Sequence, residues 1–179
     1  QLFAEVYGSA EVTQARVAMA IASYERTLVA NQTPHDLQAA GQNALTQAEL
    51  AGLQAFQQAG CARCHGGPLL SDNAFHYIGA RPQNADPGRF AVTGNNGDRG
   101  AMRTPPLRNL ELSAPYMADG RFRTLAEVVA FYNRGGDFTA PNKHPRILPL
   151  VPSPQQQAAI VTFLQRPPTD VRPPDETAP

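Results

Sequence analysis

The sequence predicts an all-α fold, and three observations carry this prediction. Apolar residues recur at helical spacing in four segments of the 179-residue chain. Three of these segments begin with a capping box, in which a Ser or Thr is followed three residues later by Glu or Gln. Little of the chain alternates apolar and polar residues as a half-buried strand does. We therefore expect helices that are joined by long loops.

The first two helices are indicated by their apolar stripes. The first covers about residues 12–30 and has apolar residues at helical spacing, namely Val17, Ile21, Tyr24 and Leu28. The second begins at the capping box of Thr46 and Glu49 and runs toward residue 61 with a stripe of Leu50, Leu53 and Phe56. From about residue 66 to 110 the chain is rich in Gly, Pro, Asn and Asp, which predicts ordered loops rather than regular elements.

Two further helices are expected in the C-terminal third of the chain. One begins at the capping box of Thr124 and Glu127, and its apolar face consists of Leu125, Val128, Val129 and Tyr132. The last begins at Ser153 and Gln156, with a proline in its first turn, and carries Ile160, Val161 and Leu164. The proline-rich, polar residues 167–179 are expected to form a mobile tail.

Residues 61–65 read CARCH, which is the Cys-x-x-Cys-His pattern that attaches a c-type haem. In this pattern Cys61 and Cys64 form thioether bonds to the porphyrin, and His65 binds the iron on its proximal side. A dithiol redox site normally follows a strand, and a zinc site needs two more ligands, whereas the other histidines are scattered singly. The prediction is therefore a cytochrome c-like haem domain with additional helices and long haem-wrapping loops.

Composition limits the partners and the cellular compartment that we expect for this protein. The 15 Lys and Arg residues balance the 15 Asp and Glu residues, so neither a nucleic acid nor an anionic membrane surface is an expected partner. No apolar stretch approaches the roughly 20 residues that span a bilayer, and no basic-then-apolar leader opens the chain. We therefore expect a soluble, already processed protein. Because bacteria attach haem c outside the cytoplasmic membrane, the expected compartment is the periplasm.

The ligand on the distal side of the iron decides between electron transfer and chemistry. A methionine gives an electron carrier of raised potential, and Met102 and Met117 both lie after the haem motif, where small cytochromes place this ligand. A tyrosine is an anionic donor that favours ferric iron and lowers the potential. An open distal side admits peroxide. Spacing alone leaves these alternatives open.

Four segments carry a resemblance to a known family. Residues 103–122 read RTPPLRNLELSAPYMADGRF, and residues 124–132 read TLAEVVAFY. Residues 20–28 read AIASYERTL, and residues 66–76 read GGPLLSDNAFH. With the haem motif, these segments closely resemble the second haem domain of the bacterial di-haem cytochrome c peroxidase and MauG family. The resemblance implies that residues 1–45 lead in from the family's N-terminal domain and that residues 46–166 form the c-type haem domain.

The resemblance also implies two metal centres. His65 is the implied proximal ligand, and Tyr132 stands where MauG-type enzymes carry a distal tyrosine and the peroxidases carry a methionine. The family holds a calcium ion between its two haems through main-chain carbonyls at the positions of Ser113 and Pro115.

Other side chains are candidates for contacts with the haem. Met117 is expected to pack beside it, because methionine is more often a gap-filler than a ligand. Arg108 is a candidate partner for a haem propionate, since arginine pairs well with carboxylates. Further candidates for such contacts are Arg103, Arg121 and His76.

The chain also departs from the family. Ala118 stands where the family commonly has histidine, so the hydrogen-bonding role of that histidine is lost. The family's N-terminal domain has its own Cys-x-x-Cys-His motif and a tryptophan between the haems, and this sequence contains neither. A second haem c is therefore expected on a missing domain or on a partner. A cleaved fragment, one subunit of a split enzyme and a one-haem relative all fit the sequence.

Three functions fit these observations. The favoured one is a MauG-like or peroxidase-like oxidoreductase that uses peroxide, in which a six-coordinate iron bound by His65 and Tyr132 stores or relays oxidising equivalents. The second is an electron-transfer cytochrome in which Met117 or Met102 completes the coordination. The third is an accessory cytochrome subunit of a larger complex. The expected redox partner is a small cytochrome, a copper protein or a protein substrate.

Overall fold

The computed structural model describes residues 1–28 and 33–165, which form two compact units. In residues 1–28, helix α1 covers Leu2–Tyr7 and helix α2 covers Gln14–Glu25. The hydroxyl of Thr13 accepts a hydrogen bond from the backbone N–H of Arg16 and so caps α2. The Tyr7 hydroxyl donates to the main-chain oxygen of Arg16 at 2.7 Å, which links α1 to α2.

The first predicted helix is shorter than expected. Helix α2 ends at Glu25, so Leu28 lies beyond it, and residues 29 and 30 are outside the described residues. The Thr27 hydroxyl donates to the main-chain oxygen of Tyr24 at 2.7 Å, and this bond competes with continuation of the helix. The expected apolar stripe is not buried, because its four residues are 38 to 54% exposed, namely Val17, Ile21, Tyr24 and Leu28.

The unit of residues 33–165 is built mainly from helices. These are α3 (Pro34–Ala39), α4 (Gln47–Gln58), α5 (Phe90–Thr93), α6 (Leu125–Asn133) and α7 (Pro154–Leu164). Complete capping boxes begin α4, α6 and α7, so the boxes predicted at Thr46, Thr124 and Ser153 are confirmed together with their helices. A fourth box, of Thr33 and Asp36, begins α3, which is too short to show an apolar stripe in the sequence.

The hydrophobic core lies between α4, α6 and α7. Its buried members are Ala55, Phe56, Leu125, Val129, Ile160, Phe163 and Leu164. The rings of Phe56 and Phe163 have centroids 5.5 Å apart, and Phe163 has no exposed surface. Gly52 allows α4 and α7 to approach closely, because a Cβ atom there would lie 2.1 Å from the main-chain oxygen of Ala159. Glycine is therefore required where these two helices cross.

The described residues are mostly helical, with little sheet. Strand β1 (Phe75–His76) pairs antiparallel with β2 (Met102–Arg103), so that His76 lies opposite Met102. These two strands were not predicted, since two-residue strands are too short to show an alternating pattern. Loops otherwise dominate residues 66–110, as predicted, with the short helix α5 and a 3-10 turn at Asn96–Asp98 among them.

Three further predictions concern membrane spans, the C-terminal tail and the domain boundary. Among the described residues, no helix combines the length and the apolar character that crossing a bilayer requires. The tail predicted at 167–179 lies outside the described residues, and the domain boundary at residues 45 and 46 stays a prediction.

The crossing of α4 and α7 gives a testable prediction. In Gly52→Ala the added methyl group would lie 2.1 Å from the Ala159 oxygen and 2.7 Å from Cβ of Phe163. The helices must separate, so we expect the free energy of unfolding to fall by about 1–3 kcal/mol, although Ala favours a helix more than Gly. The control Gln54→Ala, on the exposed side of α4, should change it by less than about 0.5 kcal/mol. Denaturant unfolding measures both, and an equally stable Gly52→Ala protein would contradict the packing.

Candidate haem-binding site

The haem motif lies directly after α4. Gly60 adopts φ 80°, a left-handed conformation that glycine accepts without strain, and it turns the chain into a 3-10 helix at Cys61–Arg63. Both thiols are half-buried and unpaired. Burial raises the pKa of the Cys61 thiol to about 11, and it also raises the pKa of Cys64. The two sulfurs therefore face the site as neutral thiols.

The imidazole of His65 is fixed by the loop that follows the motif. Its Nδ1 lies 3.1 Å from the main-chain oxygen of Leu70, a buried residue in the left-handed conformation with φ 50°. The tautomer with a proton on Nδ1 donates this bond and keeps the Nε2 lone pair available for a metal. Burial lowers the pKa of His65, which favours the neutral imidazole that binds metals.

A cavity of about 680 Å³ adjoins the motif, and this volume is typical of cofactor sites. Cys61, Cys64 and His65 lie on its wall. Much of the remaining wall is apolar and comes from α4, α6 and α7, through Phe56, Leu125, Val128, Val129, Ile160 and Leu164. The cavity therefore combines an apolar lining with the polar groups of the haem motif.

Tyr132 reaches the same cavity from α6. The four residues that the spacing placed on one face of this helix all line the cavity, namely Leu125, Val128, Val129 and Tyr132, so the predicted face is confirmed. Burial raises the pKa of the Tyr132 phenol, and the nearby Cys61 and Cys64 raise it further. Without a cation beside it, the hydroxyl therefore keeps its proton.

The spacing did not single out Phe131, the neighbour of Tyr132. Its ring has no exposed surface and packs against Phe122 with centroids 5.5 Å apart. The Phe131 and Tyr132 rings meet edge to face at 5.0 Å. Phe131 thus helps to hold α6 in place. In the sequence, the only indication of its burial is the unbroken apolar run in which it lies.

Both candidate methionines also line the cavity. Met102 reaches it from β2, and Met117 reaches it from the loop before α6. Met117 adopts φ 69°, a left-handed conformation that is uncommon for residues other than glycine. The structure therefore brings Tyr132, Met102 and Met117 to one cavity, together with the haem motif.

Only some of the other residues that were predicted to contact the haem line the cavity. Arg108 and Arg103 line the cavity, and Arg103 donates to the Asn73 side chain at 2.9 Å. Arg121 is not among the lining residues and instead pairs with Asp119 at 3.2 Å. Ser113 and Pro115 lie on the cavity wall, and calcium binding through their carbonyl oxygens stays a prediction.

A cluster beside Cys64 was not predicted as a unit. The Nε2 atom of His76 lies 2.8 Å from a carboxylate oxygen of Asp72, and the rings of His76 and His144 have centroids 4.4 Å apart. Ligand atoms of Cys64, Asp72 and His76 lie within 4.8 Å of one another. Burial alone would raise the pKa of Asp72, but hydrogen bonds from His76, the Ala74 N–H and Thr104 lower it to about 2.

These residues fit a covalently attached haem. Two neutral thiols provide the attachment points, and the imidazole of His65 is oriented by its Nδ1 bond. The apolar walls suit a porphyrin, and the buried guanidinium of Arg108 suits a carboxylate of the haem.

Known proteins with similar sequences are cytochrome c peroxidases and MauG proteins. The chain is 40% identical over 137 residues to the cytochrome c551 peroxidase of Nitrosomonas europaea, which covers 74% of this chain and 41% of that protein. It is 35% identical over 168 residues to the methylamine utilization protein MauG of Methylorubrum extorquens, which covers 92% of this chain and 47% of that protein. No protein-family model matches the chain.

Solved structures agree with these relatives. A MauG-like protein associated with microbial copper homeostasis superposes with a TM-score of 0.75 at 28% identity, covering 91% of this chain and 56% of that one. The diheme peroxidase BthA of Burkholderia thailandensis shares the fold, with a TM-score of 0.57 at 22% identity over 74% of this chain and 45% of that one. The chain thus spans about half the length of the curated relatives it matches.

The Asp72 carboxylate predicts a pH-dependent stability. Its pKa of about 2 in the folded protein lies below the usual 3.8, so the unfolded state binds more protons between these pH values. The stabilisation is complete above about pH 4 and is lost as the pH falls toward about 2. We expect Asp72→Asn to lower Tm at pH 7 and to leave it nearly unchanged near pH 2. Thermal unfolding across this range tests the prediction, and a Tm difference that is independent of pH would contradict it.

Proposed function

The chain belongs to the family of bacterial di-haem cytochrome c peroxidases and MauG proteins, and we propose that it is the part of such a protein that holds a haem c between His65 and Tyr132. Cys61 and Cys64 are the proposed thioether attachment points. Residues 46–166 are the proposed haem domain, with a cytochrome c-like fold whose loops wrap the haem.

One observation carries this proposal. Tyr132 lies on the wall of the same cavity as the haem motif, on a helix whose neighbouring positions form the apolar lining. A phenolate is an anionic oxygen donor and stabilises ferric or more oxidised iron. A carrier that must accept electrons easily gains from methionine instead, so tyrosine favours a site that holds an oxidised state.

Haem c supplies one-electron oxidation and reduction at its iron, and this allows the site to store or relay an oxidising equivalent during a peroxide-dependent oxidation. The chain's own residues provide the setting. The Leu70 carbonyl orients His65, and the apolar faces of α6 and α7 line the cavity. Met117, which lines the cavity from the loop before α6, would pack against the haem.

The proposed partners follow from the family. A second haem c, on another domain or subunit, is the proposed site of the reaction with peroxide. A small cytochrome, a copper protein or a protein substrate is the proposed redox partner, and the periplasm is the proposed compartment. Calcium bound by the main-chain oxygens of Ser113 and Pro115 is part of the same proposal.

A second candidate function rests on the two methionines. Met102 and Met117 both line the cavity, and either thioether bound to iron would give a His/Met electron-transfer cytochrome or an accessory cytochrome subunit. Replacing Met102 or Met117 by Leu distinguishes this function from the first. If one of them binds the iron, its loss changes the spin state of the ferric iron, and if Tyr132 is the ligand, neither change does.

The spin state of the ferric haem tests the role of Tyr132. We expect Tyr132→Phe to convert a low-spin ferric centre into a high-spin one, because phenylalanine has no donor atom for the iron. Electron paramagnetic resonance of the ferric protein measures this change.

Tyr116→Phe is the matched control. Tyr116 lines the same cavity, but its hydroxyl donates to the main-chain oxygen of Leu110 at 3.1 Å. Its removal should leave the low-spin signal intact. If Tyr132→Phe also left the signal unchanged, Tyr132 would not be a ligand.

A further inference from the structure

The carboxylate of Asp36 holds Arg108 at the cavity. A terminal nitrogen of Arg108 donates to one oxygen of Asp36, across 72 positions of sequence. Both side chains are largely buried, with 11% of Arg108 and 19% of Asp36 exposed. The pair therefore joins α3 to the loop that precedes residue 110, and it does so beneath the protein surface.

The other oxygen of Asp36 caps the start of α3. It accepts the backbone N–H of Thr33 at 3.0 Å and the Thr33 hydroxyl at 2.6 Å. Burial by itself would raise the pKa of Asp36, but the bonds from Thr33 and the charge of Arg108 lower it. The carboxylate is thus an ionised anchor whose position is set by the helix cap.

Arg108 has a further donor that this pair does not use. Its Nε atom is buried and has no hydrogen-bond partner among the described residues, and the side chain lines the cavity. A buried donor without a partner is rare in native proteins, and a bound ligand is one source of the missing acceptor. The donor geometry of a guanidinium fits a carboxylate.

Two other arginines on the cavity wall are committed elsewhere. Arg81 pairs with Asp86 at 3.2 Å, and Arg103 donates to Asn73 at 2.9 Å. A fourth, Arg146, is exposed. Of these arginines, Arg108 is therefore the one that is largely buried, has a donor without a partner and is held in place by Asp36.

We propose that Asp36 is a positioning residue that holds the Arg108 guanidinium so that it donates a hydrogen bond to a carboxylate of the haem bound in the cavity. This inference rests on the proposed function, because it requires the haem in that cavity. Arg108 lies between two carboxylates, one from α3 and one from the cofactor. A change in α3 is thereby transmitted to the haem periphery.

Resonance Raman spectroscopy of the haem-loaded chain tests the proposal, because the bending band of a haem propionate falls in frequency when it loses a hydrogen bond. We expect Arg108→Gln to lower this frequency. Asp36→Asn should lower it as well, although Asp36 is expected to make no contact with the haem. Arg108→Lys keeps the charge and a donor but loses the planar guanidinium, so it should lower the frequency less than Arg108→Gln does.

Asp137→Asn is the control, because it breaks the ion pair with Arg134, which does not line the cavity. It should leave the band unchanged. An unchanged band in Arg108→Gln would overturn the carboxylate contact, and an unchanged band in Asp36→Asn alone would overturn the positioning role. If Asp36→Asn failed to fold, the weaker change Asp36→Glu, which moves the carboxylate, would decide that role by the same band.

The haem content of the parent protein separates this inference from the proposed function. A parent chain without covalent haem would contradict the proposed function itself. A parent chain with haem and an insensitive propionate band would contradict only the role of Asp36 and Arg108.

Discussion

The cavity that is lined by α4, α6 and α7 and by the loops of residues 76–119 and 144–152 is the constraint on which the rest of this unit depends. Protein interiors are close-packed, so a largely apolar cavity of about 680 Å³ leaves its lining side chains without packing partners unless a ligand fills it. Leu125, Val129 and Ile160 belong both to the core and to the cavity wall. The haem that we propose there is therefore the cofactor and also the centre of the hydrophobic core, around which the loops of residues 66–110 are arranged.

The helices that build this cavity could be predicted because their signals are local. Capping boxes at Thr46, Thr124 and Ser153 and the stripes behind them fixed the start and the buried face of α4, α6 and α7. Helix α3 and the two-residue strands are too short for a periodic signal. The contact of Asp36 with Arg108 depends on how distant segments pack, so spacing along the chain does not reveal it.

The same limit applies to the candidate site. The haem motif is a contiguous pattern, so Cys61, Cys64 and His65 could be named from the sequence. The distal ligand is not contiguous with it, and the structure brings Tyr132, Met102 and Met117 to one cavity. The chemistry of a phenolate, together with the family to which the chain belongs, favours Tyr132. The chain covers about half the length of its curated relatives.

The proposed function requires one covalent haem that is bound by His65 and Tyr132. Low-temperature electron paramagnetic resonance of the ferric protein as isolated, with haem counted per chain in the same sample, tests it most directly. We expect one haem for each chain and a low-spin His/Tyr signal, and a second, high-spin haem would mark an accompanying peroxide-reactive domain. A single low-spin His/Met signal would rule out Tyr132 as the ligand and would make the chain an electron-transfer cytochrome.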